Sequence, residues 1–295
     1  MKLGTSTWVL NQRFGDEEAI RMIAAAGFDG IDWDFSPMAS DDAVWNRDDW
    51  RDYAHRLRKL ADELGVSVLQ AHAPYPTAVG KEPHDTVMLE RIRRSIEAAS
   101  ILGATHIVVH PMKHLDHVKF GKELFVRNME LYRALLPVGE QWNVRICVEN
   151  MNEDSSLTGR IVNSGCGLPE EFCAMLDGLD SPWAAGCLDI GHAALSGVDP
   201  VDCIHALGQD RLHLLHVHDV DYIGDNHALP YLEKLDWDAV TTALADIEYE
   251  GNFVFEANMF FHRFPRELCP EALAFAEKVG RYLMGEIERK RHGCR

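Results

Sequence analysis

The chain has 295 residues, of which 46% are hydrophobic and 12 are Phe, enough apolar material for a large core and too much for a disordered chain. Its formal net charge of −18 at pH 7 opposes tight binding to nucleic acid or to anionic membrane, because the long-range field has the wrong sign. Seven cysteines, an odd count with no CxxC pair among Cys147, Cys166, Cys173, Cys187, Cys203, Cys269 and Cys294, fit reduced thiols rather than a disulfide scaffold or a zinc ribbon.

The opening MKLGTSTWVL is too short and too polar for a signal peptide, and no apolar run approaches the ~20 residues that span a bilayer. A cytoplasmic protein with no membrane partner is expected. The basic run ERKRHGCR at the C-terminus reads as a solvated helix end.

In chain order, short β-branched runs alternate with longer stretches of helical period. LGTSTW precedes EEAIRMIAAAG, FDGIDWD precedes WRDYAHRLRKLADELG, VSVLQAH precedes LERIRRSIEAASILG, and THIVVHP precedes ELFVRNMELYRALLPVGEQ. VRICVEN then leads to PEEFCAML, WAAGCLDIGH to PVDCIHAL, LHLLHVHD to WDAVTTALADI, and GNFVFEA to PEALAFAEKVGRYLMGEI. Several of the helical stretches open on Asp or Pro and close on Gly, as helix ends prefer. Eight such units without a Gly-, Pro- or Ser-rich linker predict an α/β chain folded as a single (β/α)8 TIM barrel over residues 1–295. Two ordinary domains would fit the length and a doubly wound open sheet would fit the alternation, but the GxGxxG phosphate signature of such sheets is absent.

A parallel barrel gathers its chemistry at the C-terminal ends of the strands. The last residues of six consecutive candidate strands are His72, His110, Glu149, Asp189, His216 and Glu256, each about one strand-helix unit from the next. Residues two positions earlier, Gln70, Val108, Cys147, Cys187, Leu214 and Val254, share their parity and are expected to form a packed layer beneath them. A lone histidine at a strand end is usually structural, but Glu149 and Glu256 end apolar runs and need buried partners. Three carboxylates and three imidazoles on one rim would repel or be desolvated at a cost of several kcal/mol without a cation. A divalent metal answers that need, and mixed N/O donors favour Mn²⁺, Zn²⁺, Co²⁺ or Fe²⁺ over Ca²⁺.

In LLHVHDVDYIGDNH, His216 and His218 share a parity, and Asp219, Asp221, Asp225 and His227 follow in a loop. Asp225 and His227 form a D-x-H pair, and Asp189 and His192 are three apart across a Gly, like the ends of a tight turn. His55, His84, His114, His117 and His205 fall on helices or loops and read as surface residues. His213 has helix-facing parity and His106 lies low on its strand, so both read as structural.

The set His72, His110, Glu149, Asp189, His192, His216, Asp225, His227 and Glu256 resembles the xylose isomerase-like barrel superfamily, which includes endonuclease IV and the sugar phosphate isomerases and epimerases. HVHDVDYIGDNHALPYLEKLDW is similar to the segment that many members write as HxHDNxGxxDxHLPPGEGxIDW. The resemblance covers essentially the whole barrel, and its motifs are specific in combination rather than singly. By position, it implies a metal quartet of Glu149, Asp189, His216 and Glu256, and in the endonuclease-like members all nine positions serve three zinc ions. His72, His110, His192, Asp225 and His227 are thus candidates for further ions or for substrate contacts. PYLEK, residues 230–234, departs from the family's Gly-Glu-Gly turn: Leu232 and Lys234 cannot adopt glycine's positive φ cheaply.

The implied activity is metal-dependent isomerisation or epimerisation of a ketose, inosose or related keto-sugar through an enediolate, with Glu149 and Glu256 moving the proton and Mn²⁺ or Zn²⁺ ahead of Co²⁺, Fe²⁺ or Mg²⁺. His192 and His218 are expected near substrate oxygens, Trp8, Trp33, Phe35 and Tyr75 against a sugar face or as a hydrophobic wall, and Lys113, Lys234 or Arg263 near a phosphate if there is one. A keto-sugar dehydratase or lyase would share the enolisation. An endonuclease-like phosphodiesterase would use the nine positions but lacks cationic recognition loops, and a sugar-binding barrel without turnover would not need every ligand. The resemblance also implies a homo-oligomer, although no stripe locates an interface.

Overall fold

The structure, a computed structural model, describes residues 1–155 and 159–293. The expected runs form eight parallel strands: β1 Leu3–Ser6, β2 Gly30–Asp34, β3 Ser67–His72, β4 His106–Val109, β5 Arg145–Glu149, β6 Ala184–Asp189, β7 Leu212–His216 and β8 Phe253–Phe255. Sequential strands pair from β1 to β7, and β8 pairs with β1. The seam between β7 and β8 closes just past the strand ends, where Val217 bridges Phe255 and exchanges hydrogen bonds with Val254 O at 2.9 Å and Glu256 N at 3.1 Å. The result is a nearly closed TIM barrel.

Outside it lie α1 Asp16–Ala26, α2 Trp50–Leu64, α3 His84–Leu102, α4 His117–Trp142, α5 Pro169–Leu179, α6 Pro200–Arg211, α7 Trp237–Asp246 and α8 Cys269–Arg291. Their apolar residues recur at three- and four-residue spacing, as in Trp50, Ala54, Leu57 and Ala61 of α2, so one face is buried against the strands. Gly27 and Gly103 end α1 and α3 at φ 96°, a left-handed geometry that only glycine adopts without strain.

Alternation along the strands splits the core in two. Trp33, Ile107, Val109, Ile146, Val148, Leu188, Leu215 and Phe255 join the large cluster beneath the helices. Val108, Cys147, Ala185, Cys187 and Leu214 form a separate cluster inside the barrel, the layer expected under the rim, and Gln70 and Val254 are buried at their own strands. One parity expectation fails. Gly186 pairs with Leu212 and Cys187 with Leu214, so His213 is an extra residue on β7, and its Nδ1 comes within 3.4 Å of His106 Nε2 instead of facing the helices.

The loops at the C-terminal ends of the strands hold what simple alternation did not predict. The first strand stops at Ser6, and Trp8 opens a short helix, Trp8–Phe14. A hairpin, Asn152–Asp154 with Ile161–Asn163, follows β5, and short helices Ile190–Leu195 and Asn258–His262 follow β6 and β8. The basic C-terminal run is less solvated than expected: Lys290 folds onto α7, its Nζ donating to Asp238 O at 2.6 Å and Thr241 Oγ1 at 2.8 Å. Cys294 and Arg295 of that run lie outside the described residues. Among the described residues, no helix is long and apolar enough to cross a membrane.

Candidate metal centre

Strands β3 to β8 deliver their terminal side chains to one level, and the loops after β6 and β7 add four more. Among the described residues three groups of ligand atoms result, each within 4.8 Å: Glu149 with Asp189, His216 and Glu256; His72 with His110 and Glu149; and His192 with His218, Asp225 and His227. All nine positions singled out in the sequence fall in these groups. His218, expected at the substrate, joins the third.

Glu149 is fully buried and links the first two groups. Its Oε1 lies 2.8 Å from His216 Nδ1 and its Oε2 2.9 Å from His110 Nε2. Glu256 Oε2 approaches the same His216 nitrogen at 3.3 Å. His72 and His110 point their Nε2 atoms at each other across 2.8 Å, an arrangement suited to sharing a cation.

Backbone carbonyls fix three of the imidazoles. His72 Nδ1 donates to Ala73 O at 2.9 Å, His192 Nδ1 to Asn150 O at 3.1 Å and His227 Nδ1 to Glu256 O at 2.7 Å. A carbonyl can only accept, so each neutral ring carries its lone pair on Nε2, on the side of the other ligands. Asp189 is held as firmly. Its carboxylate accepts from His192 N at 2.6 Å and lies 2.9 and 3.0 Å from His218 Nε2, while Asn150 pairs with its backbone at 2.8 and 2.9 Å. The donor set and its outer hydrogen bonds therefore fit a divalent cation.

The electrostatics say the same. Burial alone would neutralise these groups, yet mutual attraction overrides it. Against burial, Glu149 raises His72 to about 9, Asp189 and Asp225 raise His192 to about 10, and Asp225 raises His227 to about 9. His192 and His218 hold Asp189 down to about 2 despite its burial, and His216 and His110 hold Glu149 well below the usual carboxylate range. Burial prevails at His110, held down to about 4, and at Glu256, whose carboxyl is raised. Protons on histidines and a bound cation are alternative answers to the same excess of buried negative charge.

Above the ligands opens a cavity of about 440 Å³ whose walls include Trp8, Asp34, Tyr75, Lys113, Asn152, Asn258, His192, Asp225, His227 and Glu256. Five expected substrate contacts, Trp33, Phe35, His218, Lys234 and Arg263, do not line it. Trp33 is fully buried with Phe35 and Trp45 under the helices, because its strand parity turns it away from the barrel. Arg263 is exposed beyond the short Asn258–His262 helix and does not line the cavity. Residues 230–234 do not line it either. Within them Tyr231, not Leu232 or Lys234, takes positive φ, at 74°. The buried Asp219 carboxylate organises this loop, accepting from Val220 N, Glu233 N, Leu235 N and Trp237 Nε1.

Sequence reading passed over two acidic residues of strand β2, Asp32 and Asp34. Both are buried and share a parity opposite to Trp33, the one signal that would have found them. Burial pushes Asp34 up to about 6, opposed by His72 and by hydrogen bonds from Ser36. His117, read as a surface residue, is half-buried, its Nε2 3.3 Å from Glu171.

A family profile described as xylose isomerase-like TIM barrel matches residues 20–279. An uncharacterized protein of Sinorhizobium fredii is 26% identical, over 85% of this chain and 85% of its own. A probable endonuclease 4 of Bacillus licheniformis is 28% identical over 55% of each chain, so the match spans about half of that relative. Among solved structures, a D-tagatose 3-epimerase-like protein shares the fold with a TM-score of 0.75 and 20% identity, over 98% of this chain and 99% of its own.

Proposed function

The chain belongs to the xylose isomerase-like TIM-barrel family, and from that premise we propose that it is a divalent-metal-dependent sugar isomerase or epimerase acting on a ketose, inosose or related keto-sugar. The observation that carries this reading is the convergence of Glu149 and Glu256 on one nitrogen of His216, at 2.8 and 3.3 Å, on the floor of a sugar-sized cavity. The epimerase-like structural neighbour supports it.

Glu149, Asp189, His216 and Glu256 would hold the principal ion, and the other two groups would hold further ions or substrate oxygens. The ion, Mn²⁺ or Zn²⁺ by donor type, would supply Lewis acidity that weakens a C–H bond beside a carbonyl. Glu149 and Glu256 are the proton-transfer carboxylates, one removing the proton from that carbon and the other returning one, and Glu256 lines the cavity. His192 orients a substrate oxygen, and Trp8 and Tyr75 present ring surface to the sugar. Among the described residues Lys113 is the single Lys or Arg that lines the cavity, and its Nζ already donates to Asn152 O at 3.1 Å, which favours an unphosphorylated substrate. Elimination from a keto-sugar would begin with the same proton abstraction and differ only in what leaves next.

A second reading, phosphodiester cleavage, is favoured by the three ligand groups, two of which share Glu149, and by the endonuclease 4 relative. The charge of −18 and the one lining cation among the described residues oppose it. Proton NMR in D₂O of the Mn²⁺-loaded protein with a panel of ketoses and inososes separates the two. Deuterium entering the carbon beside the carbonyl, and not doing so with Glu256→Gln, supports enolisation. No exchange together with nicking of abasic duplex DNA supports the phosphodiesterase.

A further inference from the structure

Beneath the ligand groups, on the barrel axis side of β2, lies a carboxylate to which neither the fold nor the ligand set assigns a role. Asp32 is 1% exposed. Its Oδ2 accepts from Gln70 Nε2 of β3 at 3.2 Å and lies 3.3 Å from His216 Nε2 of β7. Its Oδ1 is buried without a hydrogen-bond partner, and His216 Nε2 has none with good geometry. A buried carboxylate left half satisfied costs stability, so its persistence in a barrel interior asks for a reason. The backbone aims it deliberately. Ile31 pairs with Val68 but Asp32 with Gln70, a register shift between β2 and β3 at that residue.

The other face of the His216 ring supplies the reason. Its Nδ1 points at Glu149 and Glu256, the first ligand group. An imidazole that gives its Nδ1 lone pair to a cation must keep its proton on Nε2, and the Asp32 carboxylate lies 3.3 Å from Nε2. A carboxylate there fixes the tautomer, stops the ring from flipping and makes the nitrogen facing the ion a stronger donor.

We propose that Asp32 is a positioning residue for the ion held by Glu149, Asp189, His216 and Glu256, accepting the Nε2 proton of His216 and keeping Nδ1 turned to the ligand group. Gln70 holds the carboxylate in place. The inference rests on the ion reading of the site given above, but it concerns affinity and ring orientation rather than the reaction.

The test is calorimetric titration of Zn²⁺ and Mn²⁺ into chelator-stripped wild type and Asp32→Asn, which keeps the side-chain shape and removes the charge. Long-range ¹⁵N–¹H NMR of the zinc-loaded wild type reads the His216 tautomer directly. The expected result is affinity ten- to a hundredfold lower in Asp32→Asn, with the melting temperature of the stripped protein within a few degrees of wild type, and an Nε2-protonated His216 in the wild type. Equal affinity in the two proteins overturns the role of Asp32 while leaving the metal centre standing. A wild type that binds neither ion at millimolar concentration overturns both. Should Asp32→Asn fail to fold, the wild-type tautomer decides, and a proton on Nδ1 contradicts the proposal.

Discussion

His218 and His227 stack face to face, their ring centroids 4.0 Å apart and 12° from parallel, joining the end of β7 to the loop that follows it. Through His218 the stack reaches Asp189 of the first ligand group, and through His227 it reaches Asp225 at 3.3 Å. The dense histidines and aspartates after β7 thus serve two of the three groups. His227→Ala is expected to lower the number of bound zinc ions by one per chain while the groups that share Glu149 stay loaded. Elemental analysis of the zinc-saturated proteins checks it.

Ligands that bind only the folded chain stabilise it. At an ion concentration 100 times its Kd the gain is about 2.7 kcal/mol, a rise of roughly 4 °C in melting temperature for a chain of this size. Zn²⁺ or Mn²⁺ should raise the transition by that order and EDTA should reverse it. A melting curve indifferent to both would contradict the metal centre.

Gly191 sits against the His218 ring, and a Cβ built there would overlap it. Gly191→Ala is expected to displace His218 from Asp189 and to cost about 1–3 kcal/mol, the usual penalty of overpacking a filled interior. Urea denaturation of the stripped proteins gives the difference, and an unchanged midpoint would show that the ring moves freely.

The His117–Glu171 pair gives a pH signature away from the ligand groups. The hydrogen bond that His117 donates to Glu171 is the main reason that His117 is raised above its ordinary 6.5. A raised folded value stabilises the protein when the histidine is protonated. The stability gap between wild type and His117→Asn should therefore be fully open below about pH 6.5 and close as pH rises through the folded value. A gap that widens with pH would contradict the pairing.

With Lys113 the single Lys or Arg on the cavity wall among the described residues, a free keto-sugar is expected to be turned over with a kcat/KM at least equal to that of its phosphate. Lys113→Met should change kcat/KM for the free sugar less than tenfold. Strict dependence on phosphate would reverse the assignment.

The barrel and its ligand level were legible because both rest on periodicity. Apolar alternation marks the strands, and a polar residue ending an apolar run, repeated once per strand-helix unit, marks the rim. What escaped depends on local breaks in that pattern. The extra residue at His213 turned a ring that parity had assigned to the helices. Parity, correctly applied to strand β2, would have excluded Trp33 and found Asp32 and Asp34. Arg263 was lost because a five-residue helix, too short to show a period, carries the chain away from the cavity. His218 shares parity with His216, and nothing in a sequence shows that its Nε2 meets a carboxylate from the neighbouring strand.

The most direct measurement is the metal content of the purified protein after incubation with Zn²⁺ or Mn²⁺ and gel filtration, by elemental analysis and native mass spectrometry, beside Asp189→Ala/His216→Ala. Stoichiometric divalent ion in the wild type, with at least one ion fewer in the double variant, is the expected result. A wild type that emerges free of metal, or a double variant that binds as many ions, would contradict a metal centre built on Glu149, Asp189, His216 and Glu256.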